Sequence, residues 1–170
     1  MKSSEFIVES KAKGTYAAVH FSEDTKDAIV EYIKENDIPN ATPTAELHTT
    51  LLYSRKYCPD YTPQGKIDFI GKPGAFDVWE GQPDKDGHKP NCLVMEFECA
   101  KLNARHKELM DEHDATFDYP EYKTHITFSY DIGDMDIKDL PKFTDKIEIV
   151  KEYGEDLDLN WAENNAKEDE

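Results

Sequence analysis

The sequence predicts an α+β protein in which one β-α-β-β-β unit is used twice. Two stretches, His48-Thr49-Thr50-Leu51-Leu52-Tyr53 and His125-Ile126-Thr127-Phe128-Ser129-Tyr130, share the pattern His-x-Thr-apolar-x-Tyr and lie 77 residues apart. Strand-like and helix-like stretches recur at that offset ahead of each motif. With 170 residues and 38% apolar side chains, the chain is large enough for one globular unit with a real core.

The first unit opens on the strand-like Tyr16-Ala17-Ala18-Val19, and the shift places Leu93-Val94-Met95-Glu96 over it. A helix is predicted over 24–35 from the apolar stripe Ala28, Ile29, Tyr32 and Ile33, and a second over 102–112 from Leu102, His106, Leu109 and Met110. After each motif comes a strand, Lys66–Ile70 or Lys146–Val150, then Gly74 or Gly154 and a further strand that ends near Trp79 or Trp161. Gly71-Lys72-Pro73-Gly74 lacks P-loop spacing and reads as a turn. The lobes fall at roughly 14–80 and 91–161 of a single domain over 1–161, and either terminus is free to cross between them. Residues 162–170 are too polar and charged to offset their ordering entropy, so a disordered acidic tail is expected.

Composition narrows the function. With 37 acidic against 20 basic side chains and a net charge of -17, the surface opposes long nucleic acids, which need dense Lys and Arg. A small anion is still compatible, because screening confines exposed charges to about 8 Å at physiological salt. The three cysteines, Cys58, Cys92 and Cys99, have no C-x-x-C spacing and read as reduced thiols. There is no signal-like start and no apolar run of membrane-spanning length, so a cytoplasmic protein without membrane contact is expected.

On a strand, His48 and Thr50 share one face while Leu47, Thr49 and Leu51 take the other. The same parity puts His125, Thr127 and Ser129 opposite Ile126, Phe128 and Tyr130. Two imidazoles across a cleft suit phosphodiester cleavage. A neutral one takes a proton from the nucleophile and a protonated one gives a proton to the leaving oxygen, and both forms exist near neutral pH. Thr50 and Thr127 would donate to the non-bridging phosphate oxygens. No metal or other cofactor is expected. His106 and His113 are seven apart on one helix, which is the wrong spacing for a zinc pair, and His20 and His88 have no evident partners.

With these motifs placed, residues 5–161 resemble the two-histidine phosphoesterase superfamily. Several stretches are similar, more closely, to the phage anti-CBASS nucleases: Leu51-Leu52-Tyr53-Ser54-Arg55-Lys56-Tyr57, Tyr122-Lys123-Thr124-His125-Ile126-Thr127 and Glu152-Tyr153-Gly154-Glu155 running on to Trp161. The resemblance implies a bilobal fold of two antiparallel sheets facing a central cleft with helices outside. It also implies hydrolysis of 3′–5′ bonds in cyclic di- and trinucleotide immune signals such as 3′,3′-cGAMP, so that a phage evades bacterial defence. The ribose 2′-hydroxyl would attack, giving a 2′,3′-cyclic phosphate that opens to a 3′-phosphate, inside the infected host's cytoplasm and without an obligate protein partner. Tyr16, Trp79 and Trp161 are candidates to stack on the bases, and Glu155 is added by the resemblance as an acceptor for a base amine. Two alternatives remain: a 2′,3′-cyclic phosphodiesterase acting on RNA ends, which the charge disfavours, and a sponge that binds cyclic nucleotides without cleaving them.

Overall fold

The computed structural model describes residues 13–117 and 121–158, so Trp161 and the expected tail at 162–170 lie outside the described residues. Among the described residues, six antiparallel strands and two α-helices give an α+β fold. Strand β1 (Lys13–Phe21) leads into α1 (Glu23–Glu35), a 3-10 turn (Thr44–Glu46), β2 (Thr49–Ser54) and the long β3 (Gly65–Glu80). Then come β4 (Asn91–Glu98), α2 (Ala100–His113), β5 (His125–Ser129) and β6 (Ile147–Asp158).

The helices form where the apolar spacing placed them. Helix α1 starts at Ser22, whose hydroxyl accepts from the Thr25 amide at 3.2 Å, and it buries Thr25, Ile29, Tyr32 and Ile33. Helix α2 buries Leu102, Arg105, His106 and Leu109 and ends at Asp114, in the left-handed region at φ 48°. Ala17, Val19 and Phe21 of β1 and Leu93, Met95 and Phe97 of β4 pack with Ile29, Ile33, Leu102 and Leu109 in one core. Both helices therefore cover the same face of the sheet, and the alternate residues of the strands line the other.

The expected two sheets are one hydrogen-bonded sheet, in the order β2-β1-β6-β3-β4-β5. Strand β3 joins its halves, because residues 65–71 pair with β6 and residues 72–80 pair with β4. The expected turn at Gly71-Lys72-Pro73-Gly74 is strand, and so is the break at Gly154. These glycines serve close approach instead. A Cβ on Gly74 would lie 2.6 Å from the Glu96 carbonyl oxygen, and one on Gly154 would lie 2.4 Å from the Tyr61 ring. No helix among the described residues is long and apolar enough to cross a membrane.

Candidate active site

Residue parity places the two histidines on the open face. Leu47, Thr49 and Leu51 are buried while His48 and Thr50 are half-buried, and in β5 the same contrast separates Ile126 and Phe128 from His125 and Thr127. The two strands touch, since the Thr49 hydroxyl donates to the His125 carbonyl at 2.8 Å.

Each imidazole is held alike. Nδ1 of His48 lies 2.7 Å from the Glu46 carbonyl and Nδ1 of His125 lies 3.0 Å from the Lys123 carbonyl, in both cases two residues back along the chain. A carbonyl can only accept, so each Nδ1 carries a proton and each neutral ring keeps its lone pair at Nε2. Burial lowers the pKa of His125, and the charge of His48 lowers it further, against the raising influence of the Lys123 carbonyl and Glu96. The Trp79 ring lies against the His125 ring at 4.3 Å between centroids, tilted by 52°, and its Nε1 donates to Asp77 Oδ2 at 3.1 Å.

Beside His48 opens a cavity of about 840 Å³, lined by Tyr16, His20, Ala45, Glu46, Tyr53, Tyr130, Tyr153, Glu155 and Asp156. The Tyr16 hydroxyl and Thr50 Oγ1 are 3.1 Å apart, and the Tyr16 ring meets Tyr53 edge-on at 6.2 Å. Burial raises the pKa of Tyr16, so its hydroxyl stays protonated at neutral pH.

The family model described as "Anti-CBASS protein Acb1" matches residues 13–164. The chain belongs to the Acb1 family of anti-CBASS proteins. Among relatives of that name, the one from Acinetobacter phage Ac42 is 36% identical over 149 residues, covering 88% of this chain and 94% of its own. The relative from Vibrio phage KVP40 is 32% identical over 165 residues, covering 97% and 99%. The one from Enterobacteria phage T4 is 33% identical over 154 residues, covering 88% and 92%.

In this Acb1 family member the open face gathers His48, Thr50, His125 and Thr127, with Tyr16 and Glu155 in the cavity and Trp79 over His125. Trp161 lies outside the described residues. Past the fourth position of each motif the side chains depart from strict alternation, Leu52 and Ser129 being buried while Tyr53 and Tyr130 line the cavity. Each motif strand carries a bulge, at Leu51, which β1 skips between Leu52 and Thr50, and at Phe128, which β4 skips between Ser129 and Thr127. The bulge turns Ser129 inward, where its hydroxyl donates to the Pro39 carbonyl at 2.6 Å, and brings Tyr130 to the cavity. Ser129, expected beside His125, is thus buried, and Tyr130, expected on the opposite face, lines the site.

His20 and Tyr153 also escaped sequence reasoning. Their rings stack at 4.3 Å and 12° on neighbouring strands, and burial, with Lys26, His48 and Lys151 nearby, lowers the His20 pKa. A residue-by-residue parity count from His48 across β1 and β6 would have found them, had the strand order been known.

Proposed function

We propose that this protein is a metal-independent phosphodiesterase that opens 3′–5′ bonds of cyclic di- and trinucleotide immune signals, so that a phage evades CBASS defence. The observation that carries this reading is the pair of imidazoles on one face, each with Nδ1 fixed by the carbonyl two residues back. Membership in a family named for anti-CBASS action supports the biological role. The strand order supports a duplicated two-histidine arrangement, because laying β1-α1-β2-β3 on β4-α2-β5-β6 and reversing direction returns the same order. The paired bulges at Leu51 and Phe128 support it too.

In the first step, one Nε2 takes the proton from a ribose 2′-hydroxyl, whose oxygen attacks the adjacent phosphorus. The other Nε2, protonated, gives its proton to the departing 5′-oxygen, and a 2′,3′-cyclic phosphate forms. The internal nucleophile is already in place, so the protein supplies orientation and charge stabilisation. When Tyr16 donates to Thr50 Oγ1, the Thr50 proton is left for a non-bridging phosphate oxygen, and Thr127 serves the other side. Water, with the histidine roles exchanged, then opens the cyclic phosphate to a 3′-phosphate. Tyr16, Trp79 and Trp161 are assigned to the bases by stacking, and Glu155 to a base amine.

The test is incubation with an adenine-containing 3′,3′-cyclic dinucleotide in excess EDTA, followed by chromatography, for wild type, His48→Ala and His125→Ala. Linear 3′-phosphate from wild type alone is expected. Ligand recovered intact from all three overturns the enzyme reading in favour of sequestration, and faster turnover of linear oligonucleotides with a cyclic end points to RNA ends.

A further inference from the structure

Tyr130 closes the second His-x-Thr motif, and the Phe128 bulge directs it to the cavity beside His48. Its hydroxyl donates to Glu46 Oε2 at 3.2 Å. Glu46 is the last residue of the 3-10 turn, and its own carbonyl is the acceptor for Nδ1 of His48. Upstream, the chain is fastened to β5 by backbone bonds, from the Thr42 amide to the Phe128 carbonyl and from the Tyr130 amide to the Asn40 carbonyl. The turn itself is closed by bonds from the Glu46 and Leu47 amides to the Pro43 and Thr44 carbonyls, but Thr44, Ala45 and Glu46 are exposed, and the Tyr130 bond ties the Glu46 side chain to the end of β5.

We propose that Tyr130 is a positioning residue for His48. By holding the Glu46 carboxylate it fixes the turn, and the turn fixes the carbonyl that sets the tautomer and direction of the imidazole. Tyr130 is 44% exposed, and a hydrogen bond at such a site adds little to folding stability, which leaves its geometric effect as the main one. Burial and Glu46 both raise the pKa of Tyr130, so it remains a donor through neutral pH. The device is one-sided, because Tyr53, at the matching place in the first motif, meets the Tyr16 ring instead. Its catalytic consequence rests on the two-histidine reading above, whereas the tautomer it sets can be measured without turnover.

The experiment combines ¹⁵N NMR of the His48 ring with kinetics on a 3′,3′-cyclic dinucleotide, for wild type, Tyr130→Phe, Glu46→Ala, Glu46→Gln and Tyr130→Phe/Glu46→Ala. The expected wild-type spectrum is the Nδ1-protonated tautomer, and Tyr130→Phe gives a mixture of both. The kcat of Tyr130→Phe falls about tenfold with KM little changed. Glu46→Ala falls equally, Glu46→Gln falls less because its amide oxygen still accepts, and the double variant is no worse than either single one. An unchanged His48 spectrum in Tyr130→Phe, or losses that add in the double variant, overturns the proposal. If wild type cleaves nothing, the two-histidine reading fails and the spectrum alone decides the role of Tyr130.

Discussion

The hydroxyl of Thr49 donates to the main-chain carbonyl of His125, so the strand that carries one histidine holds the other at a fixed distance. Thr49 is buried, and Thr49→Val keeps its shape while leaving that carbonyl without its partner. A loss of about 1–2 kcal/mol in urea unfolding is expected. Thr49→Ser, which keeps the hydroxyl, should lose less, and equal losses would show that shape alone matters.

His125 should titrate below the ordinary imidazole value of 6.5, through burial first and the charge of His48 second. Removing a positive neighbour eases protonation, so His48→Ala moves the midpoint up. Glu96→Gln removes a carboxylate that favours the charged ring and moves it down. Histidine ring NMR across pH 4–8 reads both shifts.

His106 sits beneath β2, with Nδ1 2.7 Å from the Leu51 carbonyl and its ring stacked on Tyr122 at 4.0 Å and 7°. Tyr122 in turn donates to the Thr50 carbonyl at 2.8 Å, so this pair supports the motif strand from below. His106→Ala should cost about 2–3 kcal/mol through the unpaired carbonyl and the lost stacking. Burial lowers the folded pKa of His106 below its unfolded value of 6.5, so the folded state binds fewer protons in that window. The stability it contributes is present above 6.5 and is lost as pH falls from there through the folded value. The melting temperature of His106→Ala should therefore fall less steeply than that of wild type as pH drops below 6.5.

Glu152 is fully buried in β6 and accepts from Arg105 Nε at 2.8 Å, from a second Arg105 nitrogen at 2.9 Å and from the Tyr61 hydroxyl at 2.8 Å. Glu152→Ala leaves the largely buried guanidinium with only Glu108 and the Thr62 carbonyl and takes the acceptor from the Tyr61 hydroxyl, so it should cost about 2–4 kcal/mol. Tyr61→Phe removes a single bond and should cost about 1 kcal/mol. Denaturant titration separates the two.

Gly154 lies under the Tyr61 ring, so Gly154→Ala must push that ring off its hydrogen bond with Glu152. A loss of about 1–3 kcal/mol is expected. Combining it with Tyr61→Ala, which clears the space, should give less than the sum of the two losses in thermal unfolding.

The α+β class and both helices were legible because the stripe of Ala28, Ile29, Tyr32 and Ile33, like that of Leu102, His106 and Leu109, belongs to the helix itself. The facing of His48 and His125 was legible for the same reason, since each precedes the bulge of its strand. Features set by a neighbouring strand were not. Ser129 and Tyr130 exchange faces because β4 skips Phe128, and nothing in the local sequence announces a skipped partner. Gly71 to Gly74 reads as a turn until the closeness of the Glu96 backbone is known. His20 and Tyr153 stack only because β6 lies beside β1, a pairing of residues more than a hundred positions apart.

Strand β3, shared between β6 and β4, governs what becomes of the chain if it is cut. A nick in the exposed segment between β3 and β4 yields one piece with β1, β2 and β3 and another with β4, β5 and β6. In the sheet order, the first piece has a gap where β6 belongs, and the second a gap where β3 belongs. Neither fragment can close its own sheet, and each holds the strand the other lacks. The severed protein should stay associated, reassemble from separately made pieces, and melt in one transition, like two hands clasped by interleaved fingers.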